Sequence, residues 1–308
     1  MAPDRQVEVD GRELKLTNLD KVLYPEAGFS KGEVVDYYAK VAPAMVPHLA
    51  GRALTLRRFP EGVDDTDSAF FEKRCPKHRP DWVKTTRVLA GPHAGYIDYC
   101  VCDDLPTLVW MAQLAAIELH PSLSLGEKHE QPTVLAFDLD PGPPAEVLAC
   151  SRVALRLREV LGQLGLESFV KTSGSKGLQL YVPLNTKVTY EETRPFAQAI
   201  AQLLAKQSPD EVIAKMGKKT MREGKVFIDW YQNNERKTTI AVYSLRARER
   251  PTVSTPVSWE EVEKAVEKDD ASRLVFEAGD VLKRVERNGD LFALVLELKQ
   301  ELPEFGSG

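Results

Sequence analysis

An apolar run that ends in two acidic residues constrains the fold of this chain more than any other segment. The run TVLAFDLDP, at 133–141, is a candidate β-strand. On a strand, residues i and i+2 point to the same face, so Asp138 and Asp140 are predicted to lie side by side. Pro141 and Gly142 end the strand at that point. The acidic pair is therefore expected at an edge that a substrate can reach.

The acidic pair indicates a site for a hard cation. Two carboxylates this close repel each other unless a cation neutralises them, and such oxygen ligands suit Mg²⁺ or Mn²⁺ rather than zinc. A third acid, Asp229, lies in VFIDWY between apolar residues, which is a costly place for an unpaired charge. Three acids on two strands could hold two metal ions that brace a transferring phosphate. The alternative is that the pair Asp138 and Asp140 caps a helix or binds a structural cation.

A glycine-containing basic segment links two of the predicted strands. Its sequence, KTSGSKG at 171–177, would let backbone N–H groups face an anion while Lys176 supplies positive charge. The segment lacks the spacing of a P-loop, and it precedes a strand rather than a helix. It is predicted to be either a phosphate-binding loop or an ordinary tight turn with an exposed lysine.

Helix signals are distributed along the whole chain. Capping boxes begin at Ser30, Thr189 and Ser258, and Ser151 is predicted to cap a further helix. Pro43 is expected to limit the first helix. Another helix is predicted to follow Pro106 and to end at His120, and a last one to run through DLFALVLELKQEL.

Strand signals are interspersed with these helices without strict alternation. The candidate strands are ALTLRRF, GYIDYCV, TVLAFDLD, SFVKTS, LQLYVPL, KVFIDWY and TTIAVYSL. The pattern predicts a mixed α/β (α+β) fold rather than a doubly wound one. Residues 1–131 are predicted to form an N-terminal lobe, 132–302 a catalytic core and 303–308 a tail.

Charge and hydropathy restrict the possible partners. The net charge is −5, yet Lys and Arg concentrate locally, as a footprint on phosphates requires: Lys215, Lys218, Lys219, Arg222 and Lys225, then Arg236, Lys237, Arg246, Arg248 and Arg250. Such runs are also typical of solvated faces. Apolar stretches are short of the ~20 residues that span a bilayer, and the polar N-terminus is unlike a signal peptide. We therefore expect a cytoplasmic protein with no membrane partner.

The four cysteines are predicted to be reduced thiols rather than a disulfide framework, because no secretory signal accompanies them. Cys75-x-x-His78 and Cys100-x-Cys102 together offer the ligands of a zinc knuckle. Buried, unliganded thiols are the preferred interpretation.

Several motifs, in matching order and spacing over nearly the whole chain, resemble one family. They are LTNLDKVLYPEAGFSKGEVVDYY, FFEK, FDLDPG, KTSGSKGL followed by YVPL, GKVFIDWYQN and KTTIAVYSLR. In this order they resemble the polymerase domain of bacterial ligase D, of the archaeo-eukaryotic primase superfamily. The resemblance implies a primase-like catalytic core with an N-terminal lobe. It also implies template-directed addition of ribo- or deoxyribonucleotides to 3′ ends at gaps and breaks.

The resemblance also implies roles for individual residues. Asp138, Asp140 and Asp229 would be catalytic and would hold two Mn²⁺ or Mg²⁺ ions. The nucleotide (NTP or dNTP) would contact Ser173, Lys176, Gln179, Gln232, His120, Arg246 and Arg57. Gln179 departs from the family pattern, in which many relatives carry a histidine. Glutamine can donate a hydrogen bond but cannot carry a proton charge near neutral pH, which affects triphosphate binding or rate rather than the metal site.

DNA contacts are implied for the N-terminal part. Lys21 and Lys31, with Asn18 nearby, would grip the 5′-phosphate of the downstream strand, and Phe70 and Phe71 would stack on the template. The implied partners are DNA with 5′-phosphorylated gaps or breaks, together with Ku and a DNA ligase, in a bacterial, nucleoid-associated setting.

Three other functions fit parts of the pattern. The first is a primase-polymerase that starts strands de novo, and the second is a non-catalytic module that bridges DNA ends. Clustered acids beside a cationic loop favour catalysis, because bridging does not need them. The third is a two-metal nuclease, which the triphosphate-type loop disfavours.

Overall fold

The chain forms two compact units, seen in a computed structural model that describes residues 4–91, 95–215, 217 and 222–303. The first unit comprises Met1–Ser122, Thr238–Thr255 and Phe276–Asp290. The second comprises Leu123–Lys237, Pro256–Val275 and Leu291–Gly308. The sequence predicts one division, after residue 131, whereas two later segments join the N-terminal part. Ala241 N donates to Leu119 O of the N-terminal part, and Val253 N donates to Phe276 O, which joins the two later segments to each other.

The helices are interspersed with strands along the chain, and the last three follow the final strand. They are α1 Lys31–Leu49, α2 Leu105–Gln113, α3 Val147–Gln163, α4 Tyr190–Gln207, α5 Trp259–Glu267, α6 Ala278–Asn288 and α7 Ala293–Glu297. No helix in the described part of the chain is both long and apolar enough to cross a membrane.

The strands are mostly short. They are β1 Arg5–Val9, β2 Arg12–Leu16, β3 Val22–Tyr24, β4 Phe29–Ser30, β5 Arg52–Arg58, β6 Phe70–Glu72, β7 Thr85–Gly91, β8 Gly95–Cys100, β9 Ala116–Leu125, β10 Val134–Pro141, β11 Phe169–Thr172, β12 Leu178–Pro183, β13 Val212–Ile213, β14 Val226–Asp229 and β15 Pro256–Val257.

The second unit is built on a six-stranded sheet with the order β13-β14-β10-β12-β11-β15. Its neighbours are antiparallel except β13 and β14, which are parallel. Every residue of β12 is buried, because α3 packs against β10 and β12. Because these strands are covered by packing, their sequences are nearly continuous apolar runs. Acidic and amide side chains within them must therefore have partners, which makes the sheet centre informative about function.

The first unit contains a five-stranded sheet in which β6, β5, β8 and β7 are neighbours and β9 pairs with β5. Helix α1 begins at the predicted capping box, in which the Ser30 hydroxyl accepts from Glu33 N. Its buried face carries Tyr37 and Tyr38, and the Tyr38 hydroxyl donates to Ile117 O at 2.6 Å. The mixed α/β class predicted from the sequence is confirmed.

Three predicted helix boundaries are wrong. Helix α1 runs through Pro43 to Leu49, because its buried apolar face outweighs the single hydrogen bond that a proline removes. Helix α3 begins four residues before Ser151, whose hydroxyl donates to Val147 O inside the helix instead of capping it. Helix α2 ends at Gln113, and Ala115, with φ +55°, turns the chain into β9. His120 therefore lies within a strand rather than at a helix end.

The predicted strand TTIAVYSL is also absent as a strand. The segment runs beside β9, and Ala241 N donates to Leu119 O at 2.8 Å. Tyr243 has φ +65°, a left-handed conformation that interrupts an extended strand. Leu245 forms only an isolated bridge with Val253.

The prediction of reduced thiols is wrong for two of the four cysteines. Cys75 and Cys100 form a disulfide, because Cys75 N donates to Asp98 O and so lies beside the end of β8. Cys102 lies beyond that strand, buried, and its thiol donates to Asp104 O. His78 is exposed. The zinc alternative therefore loses two of its four ligands, while Cys102 and Cys150 are buried free thiols as predicted.

We expect two reactive thiols per chain when the protein is denatured without reductant, and four after reduction. Cys75 and Cys100 are joined, so only Cys102 and Cys150 would react with a thiol reagent. Thiol titration in denaturant measures this, with elemental analysis for zinc on the same sample. Four thiols before reduction, or about one zinc per chain, would contradict the disulfide.

Candidate active site

A row of polar residues crosses the central strands of the second unit. In register, Asp229 of β14 lies opposite Asp138 of β10, and Asp138 lies opposite Gln179 of β12. Gln179 in turn lies opposite Lys171 of β11. Residues in register on neighbouring strands share a face, and Asp140 shares that face with Asp138. The sheet thus brings all three predicted carboxylates to one surface, as the sequence predicts.

The turn after β14 holds Asp229 in place. The Asp229 carboxylate accepts from Tyr231 N at 2.9 Å and from Gln232 Nε2 at 3.0 Å. Asn233, fully buried, pins the same turn to β10, because its side chain donates to Ala136 O and accepts from Ala136 N. Asn233 had no assigned role in the sequence, where one asparagine among several polar residues carries no signal.

The electrostatics of the row favour a cation. The pKa of Asp138 is raised to about 7, mainly by burial and next by the charge of Asp140. Asp229 contributes to this increase, whereas the hydrogen bond from Gln179 and the charge of Lys171 oppose it. A carboxylate that holds a proton near neutral pH because of burial and of neighbouring carboxylates is one that a divalent cation would stabilise. The donor set therefore fits a hard ion.

Cation binding requires some side-chain adjustment. In the part of the chain that the structure describes, no three His, Cys, Asp or Glu side chains converge closely enough to enclose an ion. Asp229 is turned toward Gln232 and the Tyr231 N–H, while Asp140 is exposed at the strand end. We infer that Asp229 would exchange its bond with Gln232 for the ion.

Lys171 is a site residue that sequence reasoning did not single out. It is one of the largest fully buried side chains, and its Nζ lies 5.6 Å from the centre of the Tyr181 ring. Its charge lowers the pKa of Asp138. In the sequence it stands at the edge of the loop motif, and only the strand register reveals that it belongs to the polar row.

The predicted phosphate-binding loop is a tight turn closed by Ser173. Ser173 Oγ accepts from Ser175 N at 3.2 Å and Gly177 N at 3.1 Å, and Ser173 N donates to Gly177 O. Lys176 is exposed, whereas Ser173 is buried. Gly177 is required by packing, because a Cβ there would lie 2.0 Å from Leu139 O. Two of the N–H groups expected to face an anion are thus already bonded within the loop.

In the first unit, three predicted nucleotide-binding residues meet around one carboxylate. Glu118 Oε2 accepts from Arg57 Nη1 at 3.3 Å and lies 3.1 Å from His120 Nε2. Its Oε1 accepts from Arg246 Nε at 3.0 Å and from Ala247 N at 3.1 Å. Glu118 was missed because its segment resembles the end of a helix, where neither its direction nor its partners can be inferred.

The predicted template-stacking pair lies on β6. Phe70 and Phe71 are both exposed, and each has an arginine over its ring, Arg58 over Phe70 and Arg57 over Phe71. The Phe71 ring also makes an edge contact with His120, at 5.7 Å between centroids. Two exposed aromatic rings braced by cations form a surface on which a base can stack.

The lysines that are predicted to bind a 5′-phosphate lie close to the start of α1. Lys31 Nζ donates to Thr17 O at 2.9 Å, and Lys21 Nζ pairs with Glu61 at 2.6 Å. The pKa of Lys31 is lowered to about 8, mainly by burial and also by the charges of Lys21 and Arg58. Both lysines thus already have hydrogen-bonding partners. Their charges still repel each other and that of Arg58, and a bound anion would reduce this repulsion.

The helix N-terminus itself is already satisfied. Lys31 N donates to Lys21 O and Gly32 N to Leu19 O, while Glu33 N is capped by Ser30. These N–H groups are therefore already bonded within the fold, and the lysine side chains are the candidate phosphate ligands here. Asn18, with φ +54°, shapes the turn that brings Lys21 back to the helix start.

Part of the predicted basic clusters is engaged within the fold. Lys225 Nζ donates to Pro209 O, and the Arg222 guanidinium lies 3.8 Å from the centre of the Phe227 ring. Lys215 is exposed. Lys218 and Lys219 lie outside the described residues.

The fold and the carboxylate row define a primase-polymerase of the ligase D type. Residues 30–292 match the family model of the LigD primase-polymerase domain. A solved structure, the polymerase domain of Mycobacterium tuberculosis ligase D in complex with DNA, matches over 94% of this chain and 99% of its own. The TM-score of that match is 0.84 and the sequence identity 39%.

This chain belongs to the LigD primase-polymerase domain family, a metal-dependent family. It is 42% identical over 284 residues to the multifunctional non-homologous end joining DNA repair protein LigD of Mycobacterium tuberculosis (strain ATCC 25618 / H37Rv), covering 90% of this chain and 36% of that protein. It is 33% identical over 278 residues to the bifunctional non-homologous end joining protein LigD of Bacillus subtilis (strain 168), covering 90% of this chain and 43% of that protein. The chain thus spans less than half the length of these relatives.

Proposed function

We propose that this protein is a template-directed nucleotidyltransferase of DNA end joining, which adds nucleotides to 3′ ends at gaps and breaks. The observation that carries the proposal is the row of three carboxylates on one sheet face, with Asp138 and Asp229 directly opposed. A module that only bridges DNA ends has no use for a partly buried, mutually repelling acidic group, which costs stability.

Asp138, Asp140 and Asp229 would hold the metal ions. Two bound Mn²⁺ or Mg²⁺ ions would supply charge neutralisation for the triphosphate and an acidified 3′-hydroxyl. The chain's own part is to present the ligands on a rigid sheet. Gln179 fixes the Asp138 carboxylate by a hydrogen bond, and the turn pinned by Asn233 fixes Asp229.

Nucleotide contacts are proposed within each unit separately. In the second unit, exposed Lys176 would bind phosphate oxygens, and Ser173 would keep the loop closed around its own N–H groups. Gln232 would be released when Asp229 turns to the ion. The main role of Gln179 would be to orient the Asp138 carboxylate, since its amide already donates to Asp138. In the first unit, Arg57, His120 and Arg246 supply positive charge and hydrogen-bonding groups.

DNA contacts are proposed for the first unit. Phe70 and Phe71 would stack on template bases, and Lys21 and Lys31 would bind the downstream 5′-phosphate. Phosphate binding should raise the lowered pKa of Lys31, because the anion offsets its burial and its cationic neighbours. Ku, a DNA ligase and association with the nucleoid are part of the same proposal.

Extension of a primed, gapped duplex tests the proposed function. With Mn²⁺ and either NTPs or dNTPs, we expect templated addition at the 3′ end and faster addition when the downstream strand carries a 5′-phosphate. An unprimed single strand, as a parallel substrate, tests the de novo primase alternative. Products on the unprimed strand at rates equal to those on the gapped duplex would favour that alternative. No product on any substrate would favour the bridging module.

The double variant Lys21→Ala/Lys31→Met is expected to weaken binding to gapped DNA with a 5′-phosphate by at least ~1 kcal/mol, or about fivefold. Methionine keeps the buried stem of Lys31 and removes only the charge. Binding to the same DNA with a 5′-hydroxyl should change much less. Fluorescence anisotropy on the two duplexes measures the difference.

Lys40→Ala is the matched control, because Lys40 is an exposed lysine of the same helix that pairs with Asp36. It should affect the two duplexes equally and weakly. If the double variant loses the same affinity on both duplexes, the lysines supply only general attraction to the backbone, and recognition of the break lies elsewhere.

A further inference from the structure

We propose that Glu118 is the positioning residue of the nucleotide-binding group in the first unit. Resting on the proposed function, this inference assigns Glu118 two tasks. It holds Arg57 and Arg246 in fixed directions, and it sets the tautomer of His120. A nucleoside triphosphate would then meet donors and an acceptor that are arranged before it binds.

Each of the two Glu118 carboxylate oxygens has two hydrogen-bonding partners. Oε1 receives Arg246 Nε and Ala247 N, and Oε2 receives Arg57 Nη1 and lies 3.1 Å from His120 Nε2. Three of these partners, Arg57, Arg246 and Ala247, lie far from Glu118 in sequence, in two separate segments. Glu118 and His120 themselves are i and i+2 on β9, so they share a face of that strand.

The burial of Glu118 shows that its contacts with the surrounding cationic groups are fixed by the fold. The Glu118 side chain is 1% exposed, whereas those of His120 and Arg246 are 14% exposed and that of Arg57 is 31% exposed. A buried carboxylate is tolerated only when it is fully bonded and paired. The cluster therefore has its anion at the bottom, with the cationic groups nearer the surface.

The ionisation states follow from these contacts. Burial by itself would raise the pKa of Glu118, but the hydrogen bond to His120 and the charge of Arg246 bring it below its ordinary value. Burial lowers the pKa of His120, and the Glu118 bond only partly offsets this. At neutral pH the group thus comprises an anionic Glu118, a neutral His120 and two arginines.

The tautomer of His120 follows from the chemistry of its partner. An ionised carboxylate can only accept, so the Nε2 atom that faces Glu118 must carry the proton. Nδ1 is then deprotonated and acts as an acceptor. An acceptor of this kind suits a hydroxyl group of the ligand, such as a sugar hydroxyl of a nucleoside triphosphate.

The net charge of this group of residues suits the triphosphate end of the same nucleotide. Two arginines against one carboxylate leave one net positive charge around a neutral histidine. Since the carboxylate lies deepest, the positive side faces outward and would attract phosphate oxygens. Free arginines would have to be ordered when the ligand binds, and Glu118 removes much of that entropic cost.

Glu118→Gln tests the inference, because the amide has the same shape but replaces one accepting oxygen with a donating NH₂. Arg246 Nε and Ala247 N can only donate, so the amide oxygen would keep the Oε1 place and the NH₂ would face His120. The His120 bond then reverses, and the arginines lose their counter-charge. We expect the Kd for a non-hydrolysable nucleoside triphosphate, measured on the protein–DNA complex, to rise ~10-fold or more. The turnover at saturating nucleotide should change much less than KM. Glu118→Asp, which keeps the charge, should recover part of the affinity.

Nitrogen-15 NMR of the imidazoles supplies a readout that a merely structural role would not move. The wild-type His120 signal at pH 7, assigned by its loss in His120→Asn, should show Nε2 protonated and Nδ1 not. In Glu118→Gln the signal should change to the opposite tautomer. A wild-type His120 that is doubly protonated, or protonated only at Nδ1, overturns the inference even if the variants fold poorly.

Asp290→Asn is the matched control, because Asp290 is another largely enclosed carboxylate of this unit, 16% exposed and bonded to His48 and to the Tyr243 hydroxyl. It should lower the melting temperature without raising the Kd for nucleotide. Equal losses of nucleotide affinity in both variants, or normal affinity in Glu118→Gln, overturn the inference. A wild-type protein that extends no DNA overturns the proposed function instead, while the NMR result still decides the role of Glu118.

Discussion

Asp138→Asn is expected to abolish nucleotide addition while making the metal-free protein more stable. The loss of a metal ligand should reduce the extension rate at least ~10³-fold, since such ions supply several kcal/mol of transition-state stabilisation. The gain in stability arises because burial and Asp140 make ionisation of Asp138 costly in the fold. Asparagine keeps an acceptor for Gln179 and carries no charge.

The pH dependence distinguishes this mechanism from a general effect of the substitution. The folded pKa of Asp138, about 7, lies above its ordinary value of 3.8, so ionisation costs stability as pH rises through that window. The melting temperature of Asp138→Asn should exceed that of wild type at pH 8, by ~2–4 °C per kcal/mol of repulsion removed, and match it near pH 4. Calorimetry in chelator measures this.

The exposed Asp36 of α1 offers a control carboxylate, because it pairs with Lys40 at the helix surface. Asp36→Asn should change neither extension nor the pH dependence of melting. Near-normal extension by Asp138→Asn at matched Mn²⁺ concentration would remove Asp138 from the metal site. A melting temperature below that of wild type at pH 8 would mean that its ionisation is not costly.

Gly177→Ala is expected to be a strongly damaging methyl addition in the second unit. The new Cβ would lie 2.0 Å from Leu139 O, a backbone atom between Asp138 and Asp140 that cannot move without displacing them. We expect a loss of ~1–3 kcal/mol in the free energy of unfolding, as for other overpacked sites, and loss of nucleotide addition. Urea denaturation and the extension assay measure the two effects.

Gly162→Ala is the matched control for the added methyl group. Gly162 lies in α3, and the space that its new methyl group would take is open, with no atom of another described element within 4 Å. Alanine there should leave nucleotide addition unchanged and raise stability by up to ~1 kcal/mol, as alanine does in helices. If Gly177→Ala is as stable and active as Gly162→Ala, the loop does not constrain the acidic strand.

The sequence predicts the local features of the carboxylate site well. Alternation places Asp138 and Asp140 on one face, and the apolar surroundings of Asp229 indicate a strand with a partnered charge. It does not predict which residues oppose each other across strands, because register depends on long-range pairing. Lys171 was missed for that reason, although it lies in the predicted strand SFVKTS. Asn233 follows the predicted strand KVFIDWY, and its bonds to Ala136 are likewise long-range.

The first unit was harder to predict from sequence. An apolar run of helical composition continues past α2, but the left-handed Ala115 ends the helix and starts β9, which moves Glu118 and His120 onto a strand. The Cys75–Cys100 pair was likewise hidden, since Cys75 lies outside any strand and reaches β8 through one backbone bond. Tertiary contacts override local propensity at both places.

Binding of Mn²⁺ at several pH values tests most directly whether the three carboxylates form the catalytic metal site. Electron paramagnetic resonance counts free Mn²⁺, and a non-hydrolysable nucleoside triphosphate with gapped DNA completes the complex. We expect two Mn²⁺ ions per chain, bound more tightly as pH rises from 6 to 8, because the ion competes with the proton on Asp138. Asp138→Asn should bind fewer ions, with little dependence on pH. Equal Mn²⁺ binding by wild type and Asp138→Asn at every pH would contradict the metal site on which the proposed function rests.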